Sequence, residues 1–288
     1  MSSKQLKWFF LIVLALIWGS SFILIKKGLV GLTPFQLGSL RIIFAAVFLL
    51  VIGFKSLKTI KQYQWKFIVL SAIVGTLLPV YLFSVAQTEI SSSVSSILNS
   101  LTPLNTLILG ALVFGLQFKR SQILGIVIGL FGSGLLIFNG AVNHPEQNYY
   151  YAILVLIASI GYATNVNLIK KYLSDLSPLA ITTGNFLILL FPAIGILAFS
   201  DFFNVMHEET VQHSLLFIII LGVLGTGIAN ILFFKLIQMS SPVFATSVTY
   251  LIPVVAFFWG LIDNEMLTTV QLFGASIILL GVYLSSKK

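Results

Sequence analysis

The sequence predicts an all-helical integral membrane protein, and three observations lead to that fold class. Charged residues are few, with 16 basic and 8 acidic side chains among 288 residues, or 8%, whereas a soluble domain carries about 25%. Hydrophobic residues make up 58% of the chain, and the mean hydropathy is +1.06. The apolar residues form ten stretches, each long enough to cross about 30 Å of hydrocarbon as a helix. Together these features exclude a soluble enzyme.

The ten apolar stretches are separated by short polar loops. Each has about twice the length of a membrane β-strand and lacks its alternation, so each predicts a spanning helix. The first stretch follows Lys4 and Lys7, as a signal peptide would, but nine more stretches follow it and we expect it to be retained. In chain order the stretches cover, roughly, residues 8–25, 34–54, 67–86, 93–114, 121–138, 149–169, 178–199, 215–237, 243–262 and 268–285.

The distribution of Lys and Arg predicts the orientation of these helices. If the N-terminus is cytoplasmic, twelve Lys and Arg residues fall in cytoplasmic segments, and only Lys26 and Lys27 fall in outer loops. Short loops that carry positive charge stay on the cytoplasmic side. We therefore expect a multi-pass protein of the cell inner (plasma) membrane with both termini in the cytoplasm.

The second half of the sequence repeats the first. Leu32-Thr33-Pro34 recurs 144 residues later as Leu176-Ser177-Pro178, and Gly75-Thr76 recurs 150 residues later as Gly225-Thr226. Each half holds five stretches, so the second copy enters the membrane from the opposite side. We expect two inverted five-helix repeats, residues 1–143 and 144–288. Further matched pairs are Lys26-Lys27 with Lys170-Lys171, Ser91 with Ser241, Pro103 with Pro253, Gly125 with Gly274, and Gly132 with Gly281.

Inverted repeats are typical of secondary transporters, in which one packing arrangement can serve both the inward-open and the outward-open state. The repeat therefore predicts alternating access around a site between the halves. A solute channel is the alternative, because some channels also contain inverted repeats. We expect no enzyme, since no Ser–His or paired-Asp arrangement lies within the apolar stretches, and no cofactor is implied.

Two prolines interrupt matched stretches of the two halves. Pro103 and Pro253 each lack an amide hydrogen and displace the carbonyl group four residues earlier, at Asn99 and Thr249. We expect these two carbonyls to be free acceptors near the membrane midplane. Paired helix breaks of this kind indicate a central binding site, and a simple packing kink is the alternative.

Polar and aromatic side chains at the same depth extend the predicted site. Trp18 lies ten residues into the first stretch, and its match in the second half is Tyr162. An aromatic cavity with neutral hydrogen-bonding groups suits a small zwitterion or polar metabolite. At any single position the alternative is a hydrogen bond between neighbouring helices. The predicted substrate-binding residues are Trp18, Ser21, Tyr81, Asn99, Thr102, Pro103, Tyr162, Asn165, Asn230, Thr249, Tyr250 and Pro253.

Few ionisable residues lie within or beside the apolar stretches. Arg41 is eight residues into the second stretch, and Glu265 follows the ninth. Ionisable groups in a membrane are functional candidates, so we assign both a possible gating or charge role, with snorkelling as the alternative for Arg41. No Asp, Glu or His lies in the middle of a stretch, and the chain has no cysteine. We therefore expect no metal site and no buried carboxylate for coupling to protons.

Glycines are frequent in the predicted helices. Small residues allow helix backbones to approach closely within a membrane. We interpret the following glycines as close-packing points: Gly19, Gly75, Gly110, Gly125, Gly129, Gly132 and Gly134.

The sequence resembles a known family. The resemblance rests on Trp18-Gly19-Ser20-Ser21-Phe22, Arg41, Pro103 and Pro253, Glu265, and the two five-helix halves. These features are similar to those of the EamA family in the drug/metabolite transporter superfamily, and the likeness covers essentially the whole chain. It implies transport of amino acids, other metabolites or further small solutes, often as exporters. One departure is Leu116-Gln117, where the family places a Glu after the fourth helix.

From the residues and the resemblance together we expect a secondary transporter of small polar metabolites, with amino acids first among them and export as the direction. A multidrug or organic-cation exporter is the alternative, which the lack of a buried carboxylate disfavours. The expected partners are a small-molecule substrate and the lipid bilayer; the residues leave the oligomeric state open, and a monomer is plausible. Nucleic acid is not expected, because the basic residues lie between apolar runs and form no single solvated face.

Overall fold

The computed structural model describes residues 3–90, 92–115, 119–143, 148–262 and 269–286. Within these ranges every regular element is helical, which confirms the predicted helical class. The helices of the first half are α1 (Ser3–Gly28), α2 (Pro34–Gly53), α3 (Trp65–Ala72), α4 (Leu78–Ala86), α5 (Ser92–Asn99), α6 (Thr102–Leu112) and α7 (Arg120–Asn143). Those of the second half are α8 (Ala152–Tyr172), α9 (Pro178–Ala198), α10 (Phe202–Val205), α11 (Glu209–Ile220), α12 (Ala229–Met239), α13 (Pro242–Thr246), α14 (Val248–Ile262) and α15 (Thr269–Ser286).

Seven helical stretches of the described ranges are long and apolar enough to cross a membrane. The fourth, fifth and tenth predicted stretches are also helical, as α5 with α6, α7 and α15, but they are not among these seven. Ser100 and Leu101 separate α5 from α6, so neither piece has the length of a span. The seven are Lys4–Gly28, Pro34–Thr59, Gln62–Ala86, Ala152–Tyr172, Pro178–Ala198, Glu209–Met239 and Pro242–Gly260.

The repeated Leu-(Thr/Ser)-Pro segment begins a helix in both halves. The Thr33 hydroxyl accepts a hydrogen bond from the Gln36 amide at 3.3 Å, and the Ser177 hydroxyl accepts one from the Ala180 amide at 3.1 Å. The proline that follows occupies the first helical position, where an amide hydrogen would have no partner within the helix. The motif therefore fixes where α2 and α9 start, and these two helices pack against each other.

Two π-helical segments interrupt long helices of the bundle. Ile73–Leu77 joins α3 to α4, and Leu221–Ile228 joins α11 to α12. Both contain the repeated Gly-Thr pair, at Gly75-Thr76 and Gly225-Thr226. A π turn is rare and is found frequently at functional sites. Hydrophobic periodicity did not predict either segment, because the surrounding residues are apolar on every face.

Glycines bring α7 and α15 into backbone contact. A methyl group added at Gly132 would lie 2.9 Å from the Gly274 carbonyl oxygen, and one added at Gly281 would lie 2.7 Å from the Gly125 carbonyl oxygen. Such distances leave no room for a side chain, so the two helices pack through their main chains. Gly134 differs, since nothing lies within 4 Å of an added methyl group. Its interpretation as a close-packing point is wrong, because it lies on an open side of α7.

Gly132→Val is expected to lower the free energy of unfolding by about 1–3 kcal/mol, because the added side chain must push α15 away from α7. The midpoint of thermal unfolding of the detergent-purified protein measures the effect. Gly134→Val is the matched control on the same helix, where space is open. Equal unfolding midpoints for the two variants would contradict the glycine contact between α7 and α15.

Candidate functional site

A cavity of about 90 Å³ lies inside the bundle, between residues of both halves. A single water needs only about 10–15 Å³ on the same scale, so the cavity has room for a small solute. From the first half, α1, α2, the Ile73–Leu77 segment, α4, α5 and α6 contribute lining residues. From the second half, α8, the Leu221–Ile228 segment, α12, α13 and α14 do so.

Trp18 of α1 joins the two halves at the cavity. Its indole Nε1 donates a hydrogen bond of 3.0 Å to the carbonyl oxygen of Gly225, in the second π segment. Its ring packs edge-on against Phe233 of α12, with 4.9 Å between the ring centroids. The partly buried indole N–H therefore has the partner that an apolar environment requires, and the ring forms part of the cavity wall.

The glycines of the two π segments contact matched residues of the opposite half. A methyl group added at Gly225 would lie 2.9 Å from the Ser21 hydroxyl oxygen of α1. One added at Gly75 would clash with the side-chain amide of Asn165 of α8. Asn165 occupies in the second half the position that Ser21 occupies in the first, 144 residues earlier. Each π segment is thus in close contact with the first helix of the other half.

Asn165 is held in a fixed orientation beside the cavity. The buried Ser71 hydroxyl of α3 donates to Asn165 Oδ1 at 2.6 Å. The amide nitrogen Nδ2 then faces the Gly75 backbone at the cavity wall. The Ser71 hydroxyl also contacts the side-chain amide of Asn185 of α9 at 2.9 Å. This buried polar chain links three helices and leaves Asn165 with a donor for a bound solute.

Arg41 of α2 lines the cavity from the first half and reaches the second. Its Nε donates a 2.7 Å hydrogen bond to the Thr226 hydroxyl oxygen, and that hydroxyl donates to the Leu221 carbonyl at 3.0 Å. A methyl group added at Gly222 would lie 2.9 Å from the Arg41 carbonyl oxygen, so the two backbones are close as well. Among the described residues that line the cavity, Arg41 alone carries a formal charge.

The carbonyl groups expected to be free at the two prolines have hydrogen-bond partners. The Thr102 hydroxyl donates to the Asn99 carbonyl at 2.7 Å, and the Ser100 hydroxyl donates to the Thr249 carbonyl at 2.9 Å. The prediction of free acceptors is therefore wrong. An unpaired carbonyl in an apolar interior is costly, and nearby hydroxyl side chains remove that cost.

Comparison with known proteins identifies the chain's family. The model of the EamA-like transporter family matches residues 6–138 and matches again at residues 150–287. The chain belongs to the EamA-like transporter family. The resemblance drawn from Trp18, Arg41 and the two prolines is thereby confirmed.

Several relatives of this EamA-like transporter cover nearly its whole length. An "Uncharacterized transporter" of Archaeoglobus fulgidus is 26% identical over 98% of this chain and 99% of its own. The "Uncharacterized inner membrane transporter YedA" of Escherichia coli is 28% identical over 95% of this chain and 88% of its own. A "Probable amino-acid metabolite efflux pump" of the same species is 23% identical, covering 95% of this chain and 92% of its own.

A solved crystal structure has the same fold as this EamA-like transporter. The TM-score is 0.72, with 96% of this chain and 95% of the other covered, at 13% sequence identity. Together with the seven long apolar helices, the family and its relatives make this a multi-pass membrane protein of a transporter family.

Most of the residues predicted for the site line the cavity of this EamA-like transporter. Tyr81, Pro103, Tyr250 and Pro253 do not appear in its lining. Glu265 lies outside the described residues. The predicted residues that do line the cavity are Trp18, Ser21, Arg41, Asn99, Thr102, Tyr162, Asn165, Asn230 and Thr249.

Two of the predicted residues absent from the lining, Tyr81 and Tyr250, contact a neighbouring helix instead. The Tyr81 hydroxyl shares a 2.8 Å hydrogen bond with Ser39 of α2. Tyr250 is fully buried, and a methyl group added at Gly129 of α7 would lie 2.8 Å from its ring. Pro103 is buried in the first turn of α6, and Pro253 is buried inside α14. The two tyrosines therefore make contacts between helices outside the cavity lining.

Sequence reasoning did not place Thr76, Thr226 and Thr246 in the site, although all three line the cavity. A signal for the first two was present, since Gly75-Thr76 and Gly225-Thr226 are matched across the halves. On its own, however, the match indicates only a repeat. In the structure, both matched threonines present their side chains to the same cavity, so the match also indicates a shared site.

Because the chain has no native cysteine, single cysteines can map the cavity. Thr249→Cys is expected to react with a small thiol reagent in the folded protein, since Thr249 lines the cavity. Ser247→Cys is the matched control two residues away, where the side chain is fully buried and lies outside the lining. Mass spectrometry of the labelled protein measures both. Equal labelling before denaturation would mean that the cavity does not reach Thr249.

Proposed function

We propose that this protein is a secondary transporter that exports small polar metabolites, amino acids first among them, by alternating access. The observation that carries the proposal is a cavity lined from both halves by matched residues, Trp18 with Tyr162 and Ser21 with Asn165. A site between two halves can open to either side when the halves rock against each other. The transport step then needs no catalytic group and no cofactor.

We also propose ten spans arranged as two inverted repeats, residues 1–143 and 144–288. The contacts of the glycines support a two-fold relation. Exchanging Ser21 with Asn165 and Gly225 with Gly75 converts one close contact between the halves into the other. A two-fold axis gives such reciprocal contacts, and the odd number of predicted helices in each half places that axis in the membrane plane.

The contact between α7 and α15 supports the same axis. Exchanging Gly132 with Gly281 and Gly125 with Gly274 converts one of its two glycine contacts into the other. Two independent pairs of helices thus obey one exchange rule. The proposal includes a monomer in the inner membrane with both termini cytoplasmic, with the lipid bilayer and the solute as its partners and no nucleic acid.

The lining of the cavity supports small polar solutes. Asn99, Asn165 and Asn230 offer neutral hydrogen-bonding groups, and Trp18 and Tyr162 offer aromatic surface. A solute with a polar end and an apolar body fits such a lining. The choice of amino acids and of export is supported by the Escherichia coli relative whose name is "Probable amino-acid metabolite efflux pump".

An organic-cation exporter is less well supported. A lipophilic cation needs a negative counter-charge, and the charge that this cavity presents from its described residues is the positive one of Arg41, which repels a cation. A channel is the other alternative. A channel does not alternate between two states and so does not require contacts that are exchanged between the halves. Saturation and counterflow in transport assays distinguish a carrier from a channel.

Counterflow tests the proposed function. Proteoliposomes loaded with unlabelled amino acids are expected to accumulate labelled amino acid transiently and saturably, because a carrier exchanges solute faster than it transports it in one direction. Trp18→Ala is expected to reduce this exchange at least tenfold, since it removes the contact with Gly225 and part of the cavity wall.

The control for counterflow is Phe9→Ala, on the same helix, where the phenyl ring is 51% exposed on the outside of the bundle. It is expected to exchange solute like the unchanged protein. Flux that does not saturate and shows no counterflow would replace the carrier by a channel. Absence of exchange in folded protein would remove amino acids as the substrates.

A further inference from the structure

Arg41 presents an unneutralised positive charge to the cavity. None of the five acidic residues within the described ranges lines the cavity, and the described residues give its guanidinium a single hydrogen-bond partner, the Thr226 hydroxyl. A guanidinium has five N–H donors, and the bond to Thr226 uses only the one on Nε. The donors of the two terminal nitrogens are therefore the ones that can meet a bound solute.

The position of Arg41 is fixed from two sides. Its carbonyl oxygen is packed against Gly222, and its Nε is bonded to Thr226, and both partners belong to the Leu221–Ile228 segment. These contacts hold the side chain at the cavity and prevent it from extending to the membrane surface, as a snorkelling arginine would. A rigidly held guanidinium is suited to bidentate binding of a planar anion.

The fold itself does not require a charge at this position. The residue that matches Arg41 in the second half, 144 positions later, is Asn185. Asn185 is a neutral amide, 1% exposed, which contacts the Ser71 hydroxyl. Since the equivalent helix packs with a neutral side chain, the positive charge of Arg41 is an addition that packing does not explain.

We propose that Arg41 is the carboxylate-binding residue of this transporter and that its solutes are small organic acids with an apolar body. This inference rests on the proposed function and names the substrate class of the same cavity. A carboxylate supplies the missing counter-charge and two acceptors for the terminal nitrogens. Phe22, Val80 and Phe83 line the same cavity and provide an apolar surface for the rest of the solute.

The same cavity gives no special advantage to an amino group. An ammonium group would meet only neutral acceptors among the described lining residues and would be repelled by Arg41. An amino acid therefore binds through its carboxylate, and the corresponding acid without the amino group binds at least as well. A doubly charged phosphate is less suited, because one guanidinium neutralises only one of its charges.

The test compares three compounds that share one five-carbon apolar group: 4-methylpentanoate, leucine and 3-methylbutylamine. Binding at pH 7 is measured as protection of Thr249→Cys from the thiol reagent, which needs no transport. We expect 4-methylpentanoate to protect at a concentration about 10-fold or more below that of the amine, with leucine no better than the acid. Equal protection by the acid and the amine would overturn the proposal.

Variants assign the preference to Arg41. With Arg41→Gln the advantage of the acid over the amine is expected to disappear, and Arg41→Lys is expected to keep the advantage with weaker binding, because lysine retains the charge without the bidentate geometry. Lys235→Gln removes another basic residue of the bundle, whose Nζ lies 5.4 Å from the Phe10 ring and which does not line the cavity. It is expected to leave the preference unchanged. An unchanged preference in Arg41→Gln would overturn the proposal.

Unfolding midpoints and gel filtration show whether each variant is folded. If Arg41→Gln does not fold, Thr226→Val takes its place, since it removes the Nε partner and keeps the charge. It is expected to weaken binding of the acid about 3-fold or more and leave the amine unaffected, and equal effects on both would contradict the proposal.

The binding test examines the carboxylate site and the counterflow test examines the transport function, so the two proposals can be overturned independently. Acid-selective protection without counterflow would overturn the transport function and keep the carboxylate site. Saturable counterflow with no dependence on Arg41 would keep the transporter and overturn the site.

Discussion

The structure depends on close contact between the first helix of each half and the π segment of the other half. In one such contact Gly225 lies against Ser21 and accepts the hydrogen bond of Trp18, and in the other Gly75 lies against Asn165. Only glycine permits this approach, because any side chain would meet the opposing polar group. The cavity exists where these two contacts hold the halves together and leave space beside them.

Satisfaction of main-chain polar groups sets the second constraint on the site. In an apolar interior a break in a helix needs a substitute partner for each freed carbonyl. At the break between α5 and α6, the Thr102 hydroxyl donates a hydrogen bond to the Asn99 carbonyl, and the Ser100 hydroxyl donates one to the Thr249 carbonyl of the other half. The prolines therefore shape the helices without exposing main-chain acceptors, and the polar character of the cavity comes from side chains, chiefly Arg41 and the asparagines.

The sequence predicted the helical class and most of the lining, and the errors about which residues face the cavity have one physical origin. Membrane helices of this chain are apolar on every face, so hydropathy gives depth but not the direction in which a side chain points. Thr249 and Tyr250 lie at nearly the same depth, but the side chains of neighbouring residues point in directions about 100° apart around a helix. Thr249 therefore lines the cavity, whereas Tyr250 points towards Gly129 of α7. Trp18 and Tyr162, which are matched between the halves, both line the cavity, whereas the matched prolines Pro103 and Pro253 do not.

The charge of Arg41 makes the two halves unequal in a way that their shared fold does not. The Arg41–Thr226 hydrogen bond joins α2 of one half to the π segment of the other, and Asn185 at the matched position makes neutral contacts, among them one with Ser71. Hydrogen bonds to charged groups contribute about 1.5–3 kcal/mol, against about 0.5–1.5 kcal/mol for neutral ones. Two conformations related by exchange of the halves would therefore differ in energy, since in one of them the stronger bond would have to be broken. In the proposed transporter, a carboxylate bound by the terminal nitrogens leaves the Nε bond to Thr226 in place, so the solute would favour the conformation that contains this bond, and binding would be coupled to the movement of the halves.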